Sequence, residues 1–404
     1  MTQPPSAWRH TLPAALLLMA PFDILASLAM DIYLPVVPAM PGLLDTTPDV
    51  IQLTLSLYMA LLGVGQMIFG PISDRLGRRP VLLAGGAIFA MASLGAAFSD
   101  TATPFVTFRL LQAFGASAML VATFATIRDV YARRPEGTVI YGLLSAALAF
   151  VPTLGPIVGA VVGRYLGWRM IFVLLAVLAL VALMHACMRW HETRPEPRAE
   201  ASRSLSSILE SLDFWVYTLG FSAGMGSFFV FFSTAPRMLM DRAGYSGIEF
   251  SLTFSSVALV MVLTTRCIRS FVTQWGNVGC VLRGMALLIG GALLLSVGEL
   301  CWEPSFFTLI VPMWVMAIGI VCTVSVTANG ALGAFDDIAG TAVALYFCIQ
   351  SLIVSFAGTL SIILLNGDTA WPLICYATTM ALLVSAGLVL LRLRDAVAKG
   401  STPD

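Results

Sequence analysis

Residues Leu12 to Met40 read LPAALLLMAPFDILASLAMDIYLPVVPAM, an apolar run that contains two aspartates. The run exceeds the ~20 residues that an α-helix needs to cross the hydrocarbon of a bilayer. It is also longer than the apolar core of a cleavable signal peptide. We therefore expect this stretch to be retained as a transmembrane helix.

The same pattern continues along the chain. Of the 404 residues, 58% are hydrophobic and only 11% are charged, which is too little polar surface for a water-soluble protein of this size. Cutting the sequence where charges, Pro and Gly cluster gives twelve apolar segments, near 12–40, 50–72, 81–98, 103–126, 138–163, 169–189, 213–236, 247–270, 279–298, 305–329, 338–364 and 370–392. The prediction is an all-α membrane protein with twelve transmembrane helices.

The longest polar stretch runs from Trp190 to Leu212, between the sixth and seventh segments. Its charges, serines and prolines indicate a linker. We predict two pseudo-symmetric six-helix bundles, residues 1–189 and 213–404, joined by a cytoplasmic linker at 190–212. Such repeats often place a transporter's binding site at their interface near the membrane midplane.

Basic residues predict the orientation, because Lys and Arg accumulate on the cytoplasmic side. With both termini inside, the external loops hold only four of them, Arg164, Arg169, Arg237 and Arg242. The cytoplasmic segments hold seventeen, namely Arg9, Arg75, Arg78, Arg79, Arg128, Arg133, Arg134, Arg189, Arg194, Arg198, Arg203, Arg266, Arg269, Arg283, Arg392, Arg394 and Lys399. This asymmetry predicts cytoplasmic termini and an even number of helices.

Three charged residues stand out within the apolar segments, where an ionised side chain costs several kcal/mol. Asp23 and Asp31 share the first segment with Ser27 between them, and Arg109 lies in the fourth. Eight residues separate the two aspartates, which places them about 80° apart around a helix and about 12 Å apart along it. They form one polar stripe, with Asp23 near mid-membrane.

Arg109 should lie nearer to Asp31 than to Asp23 in depth, and Gln112 continues its helix face. A carboxyl group whose protonation depends on a nearby arginine or drug is what proton-for-substrate exchange requires. We interpret Asp23, Asp31 and Arg109 as the substrate- and proton-binding centre. The alternative is a structural Asp–Arg pair that only fixes how two helices pack.

The loop after the second segment, Gly70-Pro71-Ile72-Ser73-Asp74-Arg75-Leu76-Gly77-Arg78-Arg79-Pro80, combines an acid with three arginines. Its charges could pair with helix ends and separate during a rocking motion. The alternative is a plain basic inside loop. We interpret Gly70, Asp74, Arg75, Gly77 and Arg78 as gating residues.

The fifth segment contains Pro152, Gly155, Pro156 and Gly159 near mid-membrane. Prolines remove backbone hydrogen bonds and kink a helix, while glycines allow close approach of a neighbour. The alternatives are an interface that shapes alternating access and a simple kink.

Four aromatic residues follow Gly224 and Gly226 in the seventh segment. Such a cluster can line an apolar drug pocket, although aromatic side chains also face lipid. As possible pocket-lining residues we name Phe22, Ser27, Phe228 and Phe229.

Several function classes are excluded by residue types. The only lysine, Lys399, lies in the tail without the glycine of a phosphate-binding loop, so this chain does not hydrolyse ATP. Three histidines without a metal-ligand spacing, and seven scattered cysteines, predict neither a metal centre nor a disulfide framework. We expect no enzyme activity, no cofactor and no nucleic-acid partner.

The motifs resemble those of the major facilitator superfamily, within it the twelve-helix drug:proton antiporters. Gly70 to Arg79 is similar to the family signature between helices two and three, and Arg109-x-x-Gln112-x-x-Gly115 to that of helix four. Pro152-x-x-Gly155-Pro156-x-x-Gly159 resembles the antiporter signature of helix five, with Val151 and Ala160 in place of two glycines.

The run Asp31-Ile32-Tyr33-Leu34-Pro35 resembles the first helix of chloramphenicol and bicyclomycin exporters. The chain from Leu12 to Leu391 is similar to florfenicol/chloramphenicol exporters. The resemblance implies that Asp23 and Asp31 are protonatable acids, that Asp23 contributes to drug binding, and that phenicols are the substrate.

Together these observations predict a monomeric, multi-pass exporter of small amphiphilic drugs in the bacterial inner membrane, driven by protons and surrounded by lipid. The alternatives are a multidrug exporter with other substrates, a nutrient:proton symporter, and a membrane sensor or scaffold that transports nothing. An uptake symporter would favour more polar or basic residues in the central cavity, and the few intramembrane charges of this chain argue against it.

Overall fold

A computed structural model describes residues 10–131, 136–194, 205–335 and 339–400. Part of the expected linker, 195–204, lies outside the described residues. So do five of the basic residues used for the orientation, Arg9, Arg133, Arg134, Arg198 and Arg203.

Long α-helices make up nearly all of the described chain, and no strand occurs in those ranges. The first six are α1 (Leu12–Asp31), α2 (Pro48–Leu76), α3 (Arg78–Ala97), α4 (Ala102–Tyr131), α5 (Glu136–Leu166) and α6 (Trp168–Arg189). The next five are α7 (Leu212–Pro236), α8 (Gly247–Cys301), α9 (Val311–Leu332), α10 (Ala339–Leu364) and α11 (Trp371–Gly400). The described elements also include two short α-helices, Met40–Leu43 and Leu205–Leu209. There are in addition one 3₁₀-helix, Leu34–Ala39, and two π-helical turns, Arg237–Arg242 and Phe306–Ile310.

Within the described ranges, ten helices are long and apolar enough to cross a membrane. One of them, α8, has 55 residues, about 80 Å of helix, which is more than twice the thickness of the hydrocarbon. Its backbone leaves the helical conformation at Gly276, with φ 65° and ψ 176°. The predicted segments 247–270 and 279–298 therefore lie on either side of Gly276. The described apolar part of α5 is shorter, Phe150–Leu166. The predicted fold class, an all-α membrane protein, is confirmed.

The first predicted segment lies within one candidate membrane span, Leu12–Leu43, but the type of helix changes along it. α1 stops at Asp31, and a 3₁₀ turn over Leu34–Ala39 follows. Pro35 and Pro38 account for the change, because proline has no N–H to donate and disfavours α-helical backbone in the preceding residue. Asp31, predicted in the first helix, is the last residue of α1.

The chain divides into two compact units, Met1–Ala199 with Ser246–Ser255, and Glu200–Tyr245 with Ser256–Asp404. In the first unit α4 packs along α3 and α2, and α1 packs against α5, α4 and α6. Gly85 and Gly115 bring α3 and α4 together, since a Cβ built on Gly115 would lie 2.6 Å from the Gly85 carbonyl oxygen. In the second unit α7 is central and contacts α9, α10 and α11.

Two turns of the first unit have the same sequence pattern, Leu-Gly-x-Arg. Gly77 alone separates α2 from α3, and Gly167 alone separates α5 from α6. Their φ angles are +109° and +88°, values that glycine adopts without steric cost. Each turn therefore reverses the chain within one residue and starts the next helix at once.

Candidate functional site

The guanidinium of Arg109 is completely buried in the first unit. Its Nη1 donates hydrogen bonds to the carbonyl oxygen of Ala29 on α1, at 3.0 Å, and to Oε1 of Gln112, at 2.5 Å. The ring centres of Tyr58 and Tyr33 lie 4.7 and 5.1 Å from its central carbon. Aromatic faces attract a cation at this range, so two rings and two acceptors stabilise a charge that lipid would exclude.

Gln112 extends this arrangement to α3. It follows Arg109 by three residues, which places both on one face of α4. Its Nε2 donates to Ser93 Oγ at 2.8 Å, and Ser93 donates in turn to the Phe89 carbonyl oxygen at 2.7 Å. Arg109 and Gln112, predicted on one helix face, thus belong to a continuous hydrogen-bond chain across α1, α4 and α3.

The structure does not join Arg109 to an acid. Among the described residues, no carboxylate lies within ion-pair distance of its guanidinium, and its Nε and Nη2 have no hydrogen-bond partner. Arg109 instead contacts α1 through its hydrogen bond to the carbonyl oxygen of Ala29. The structural Asp–Arg pair considered from the sequence is not formed in this conformation, which leaves two buried donors of a permanent charge unused.

Both aspartates of α1 are buried. Asp23 is 1% exposed and its Oδ2 has no hydrogen-bond partner in the described part of the protein, whereas Asp31 is 6% exposed. Ser27, between them, is half-buried. Phe22 is completely buried, and its ring meets Trp190 edge-on at 6.0 Å. Two carboxyl groups with little solvation are therefore available on the helix that Arg109 contacts.

The glycines predicted in α5 form its contact with the end of α1. A Cβ built on Gly155 would lie 2.8 Å from the Cβ of Asp31, and one built on Gly159 would overlap the carbonyl oxygen of Ile32. Pro152 and Pro156 lie in the same helix. The antiporter-like motif thus packs closely against Asp31, which carries the second acid, and against the backbone of Ile32.

The predicted gating loop is not a loop: Gly70 to Leu76 form the last turns of α2, Arg78 begins α3, and Gly77 alone lies between them. The segment has a buried arginine at its centre. Arg78 is 1% exposed, and its side chain contacts Asp74 at 2.6 Å, Asp129 at 2.8 Å and Ser73 Oγ at 3.1 Å. Asp129, at the end of α4, was missed from the sequence because it lies about fifty residues from the loop. The available signal in the sequence was that Asp129 is a single acid at the end of an apolar segment, on the side of the membrane where the basic residues Arg75, Arg78 and Arg79 are expected.

The remaining loop residues have different surroundings. Arg75 is exposed on the last turn of α2, and Gly77 takes the positive φ described above. A Cβ built on Gly70 would meet nothing within 4 Å. Gly77 is therefore required by the backbone, while the structure places no steric demand on Gly70.

The aromatic residues predicted in α7 belong to the second unit. Phe229 is 2% exposed and packs against Gly358 of α10. Phe228 is half-buried, with its ring centre 6.4 Å from that of Phe232. The structure thus uses Phe229 in helix packing and leaves Phe228 partly accessible. Within the described ranges, no group of three or more His, Cys, Asp or Glu side chains could hold a metal ion.

Comparison with known families gives a match over most of the chain. Residues 22–359 match the family model described as the Major Facilitator Superfamily. This range includes both aspartates of α1, Arg109, the charged loop and the glycine motif of α5.

Individual relatives match along nearly their whole length. A chloramphenicol resistance protein of Pseudomonas aeruginosa is 47% identical over 379 residues, covering 94% of this chain and 90% of that protein. The MFS-type transporter YdgK of Bacillus subtilis (strain 168) is 30% identical over 372 residues, covering 88% and 90%. The multidrug resistance protein MdtL of Escherichia coli O157:H7 is 26% identical over 393 residues, covering 96% and 94%.

Proposed function

The chain belongs to the major facilitator superfamily, and from this premise we propose that it exports phenicol antibiotics from the bacterial cytoplasm in exchange for protons. It is a multi-pass membrane transporter of a small molecule and not an enzyme. The proposal places it in the inner membrane as a monomer surrounded by lipid, with both termini in the cytoplasm and no cofactor. The proton gradient supplies the energy.

One observation carries the choice of substrate. The chloramphenicol resistance protein of Pseudomonas aeruginosa is 47% identical across 94% of this chain. An exporter that confers resistance needs a binding site for an amphiphilic drug and a means of release on the other side. Twelve apolar segments with few internal charges suit that task better than uptake of a charged nutrient.

The buried charges of the first unit support proton exchange. Asp23, Asp31 and Arg109 are at most 6% exposed, and unused donor or acceptor atoms remain on Asp23 and Arg109. A carboxyl group in such surroundings changes its charge when a drug or an arginine approaches. Each elementary charge that crosses 100 mV provides about 2.3 kcal/mol to drive the cycle.

Accumulation of labelled chloramphenicol in a host without its own drug pumps tests the proposal. Cells that express the protein should accumulate less drug than cells with an empty vector, and a protonophore should restore accumulation. Equal accumulation in both cells would contradict phenicol export. Export that survives collapse of the proton gradient would contradict proton coupling alone.

A substitution of Asp23 tests its role in proton coupling. Asp23→Asn keeps the size of the side chain and removes its charge change, so we expect accumulation to return to the empty-vector level. Asp49→Asn is the matched control, because Asp49 is exposed at the first turn of α2. Full export by Asp23→Asn, with normal amounts in the membrane, would remove Asp23 from the coupling centre.

A broader multidrug exporter is the second candidate. It is favoured by the similarity to the multidrug resistance protein MdtL, which extends over 96% of this chain at 26% identity. A susceptibility panel in the same host distinguishes the two. Phenicol-selective export predicts raised tolerance to chloramphenicol and florfenicol, with unchanged tolerance to cationic dyes and quinolones.

A further inference from the structure

Three consecutive residues at the start of the polar segment together contact the turn between α2 and α3. They are Glu192, Thr193 and Arg194. They are here called the linker anchor. Oε1 of Glu192 accepts a hydrogen bond from the backbone N–H of Arg78 at 2.8 Å, and Oε2 accepts one from that of Arg79 at 3.1 Å. Oε1 also accepts from the N–H groups of Thr193 and Arg194, at 3.0 and 2.9 Å.

The carboxylate therefore caps α3 from a distant part of the chain. The first N–H groups of any helix have no partner within it, and a negative charge there is favoured by the helix dipole. Gly77, the residue before α3, provides no side-chain cap. Glu192 supplies one across more than a hundred residues of sequence, with charge-assisted hydrogen bonds that are stronger than neutral ones.

The neighbouring anchor residues reach two other helices. Thr193 is 1% exposed, and its hydroxyl lies 3.4 Å from that of Thr126 on α4. Arg194 Nη1 donates to the carbonyl oxygen of Arg75 at 2.7 Å, in the last turn of α2. The anchor thus contacts the end of α2, the start of α3 and the body of α4.

Gly77 and Glu192 fit one another sterically. A Cβ built on Gly77 would overlap the Glu192 carboxylate, and the φ of Gly77 already disfavours any other residue. Because Gly77 has no side chain, the Glu192 carboxylate can occupy the space beside it and bind the start of α3.

We infer that Glu192 is a positioning residue for the transport cycle: its carboxylate fixes the backbone of Arg78 so that the side chain reaches both Asp74 and Asp129. The inference rests on the proposed function. Arg78 is held twice, at its backbone N–H by Glu192 and at its guanidinium by the two aspartates. Without the cap the turn at Gly77 is free to reorient. Arg78 is then no longer held where its guanidinium reaches Asp74 and Asp129, with which it must pair and separate in each transport cycle.

Transport by the full-length protein in proteoliposomes with an imposed pH gradient tests the inference. We expect Glu192→Gln to lower the maximal rate per folded molecule roughly tenfold, as about 1.4 kcal/mol of lost stabilisation does. The half-saturating chloramphenicol concentration should stay unchanged, because the hydrogen bonds of Glu192 go to backbone N–H groups and not to Asp23, Asp31 or Arg109. Glu192→Asp, which keeps the charge, should give an intermediate rate.

Glu210→Gln is the matched control, since Glu210 is an exposed carboxylate further along the same polar stretch, and it should transport like the unaltered protein. A normal maximal rate for Glu192→Gln would overturn the inference. So would a loss explained entirely by a smaller amount of folded protein, because that is the result of a purely structural role.

A double-mutant cycle tests the contact between Gly77 and Glu192 directly. Gly77→Ala should lower the rate by a larger factor in the unaltered protein than in Glu192→Ala, where only the backbone strain remains. Equal factors in both backgrounds would show that the two residues act independently and would overturn the inference. The same cycle measured on the unfolding temperature needs no substrate, so it decides the contact even if chloramphenicol transport itself is not observed.

Discussion

At the scale of single residues, Arg109 depends on the shape of its side chain as well as on its charge. One guanidinium nitrogen donates to both Ala29 and Gln112 while the plane lies near two tyrosine rings. A lysine ammonium is a compact charge without that planar group. Arg109→Lys should therefore lose most chloramphenicol export, measured as accumulation of labelled drug.

The same substitution at Arg169 is the control, because Arg169 pairs with Asp100 at the surface. Exposed pairs contribute only about 0–1 kcal/mol, so Arg169→Lys should export normally. If both lysine variants export at the unaltered rate, the geometry around Arg109 is dispensable.

Tyr58 separates the effect of a ring from that of a hydroxyl. Its OH donates to the Ala26 carbonyl oxygen at 2.9 Å, and its ring lies beside Arg109. Tyr58→Phe should cost about 1 kcal/mol of stability, the usual net value of one hydrogen bond. Tyr58→Ala should cost several times more, because it also empties a packed site. Unfolding temperatures in detergent provide the measurement, and equal losses would refute the role of the ring.

At the scale of elements, the contact between α1 and α5 leaves no room for a methyl group at Gly159. Gly159→Ala should force the helices apart and lower both the yield of folded protein and export. Gly290→Ala is the control, since a Cβ at Gly290 meets nothing within 4 Å and alanine favours helix. Folded yield is measured by size-exclusion chromatography. Normal yield and transport for Gly159→Ala would show that the two helices can separate there without loss.

The sequence predicted where helices run and how deep a residue lies along them, but not which way each helix faces. Apolar length predicted the helices, and Gly276 divides the one long helix between two predicted segments. Depth along a helix follows from residue number, so the burial of Asp23 and Arg109 could be anticipated. Rotation about the helix axis depends on packing between distant segments, and it directs Arg109 to Ala29 and not to Asp31. Glu192 lay beyond prediction for the same reason, since its contacts to Arg78 and Arg79 span the first unit.

At the scale of the whole molecule, the orientation can be tested with natural cysteines. Cys267 and Cys301 are both exposed on α8, on opposite sides of Gly276. In the proposed orientation we expect Cys267 near the cytoplasmic surface and Cys301 near the outer surface. In single-cysteine variants, a membrane-impermeant maleimide added to intact spheroplasts should label Cys301 only. Labelling of Cys267 instead would reverse the proposed topology, and disrupted cells provide the control for reactivity.

The glycine contact between α1 and α5 has a consequence for resistance. Side chains usually separate the backbones of two packed helices, but here the backbone at Gly159 lies directly against Ile32, and Gly155 lies against Asp31. Few point mutations at these positions could preserve the pump. A compound that binds at this contact between α1 and α5 would therefore depend on residues that a bacterium cannot easily replace. The lining of a pocket, by contrast, can change one residue at a time.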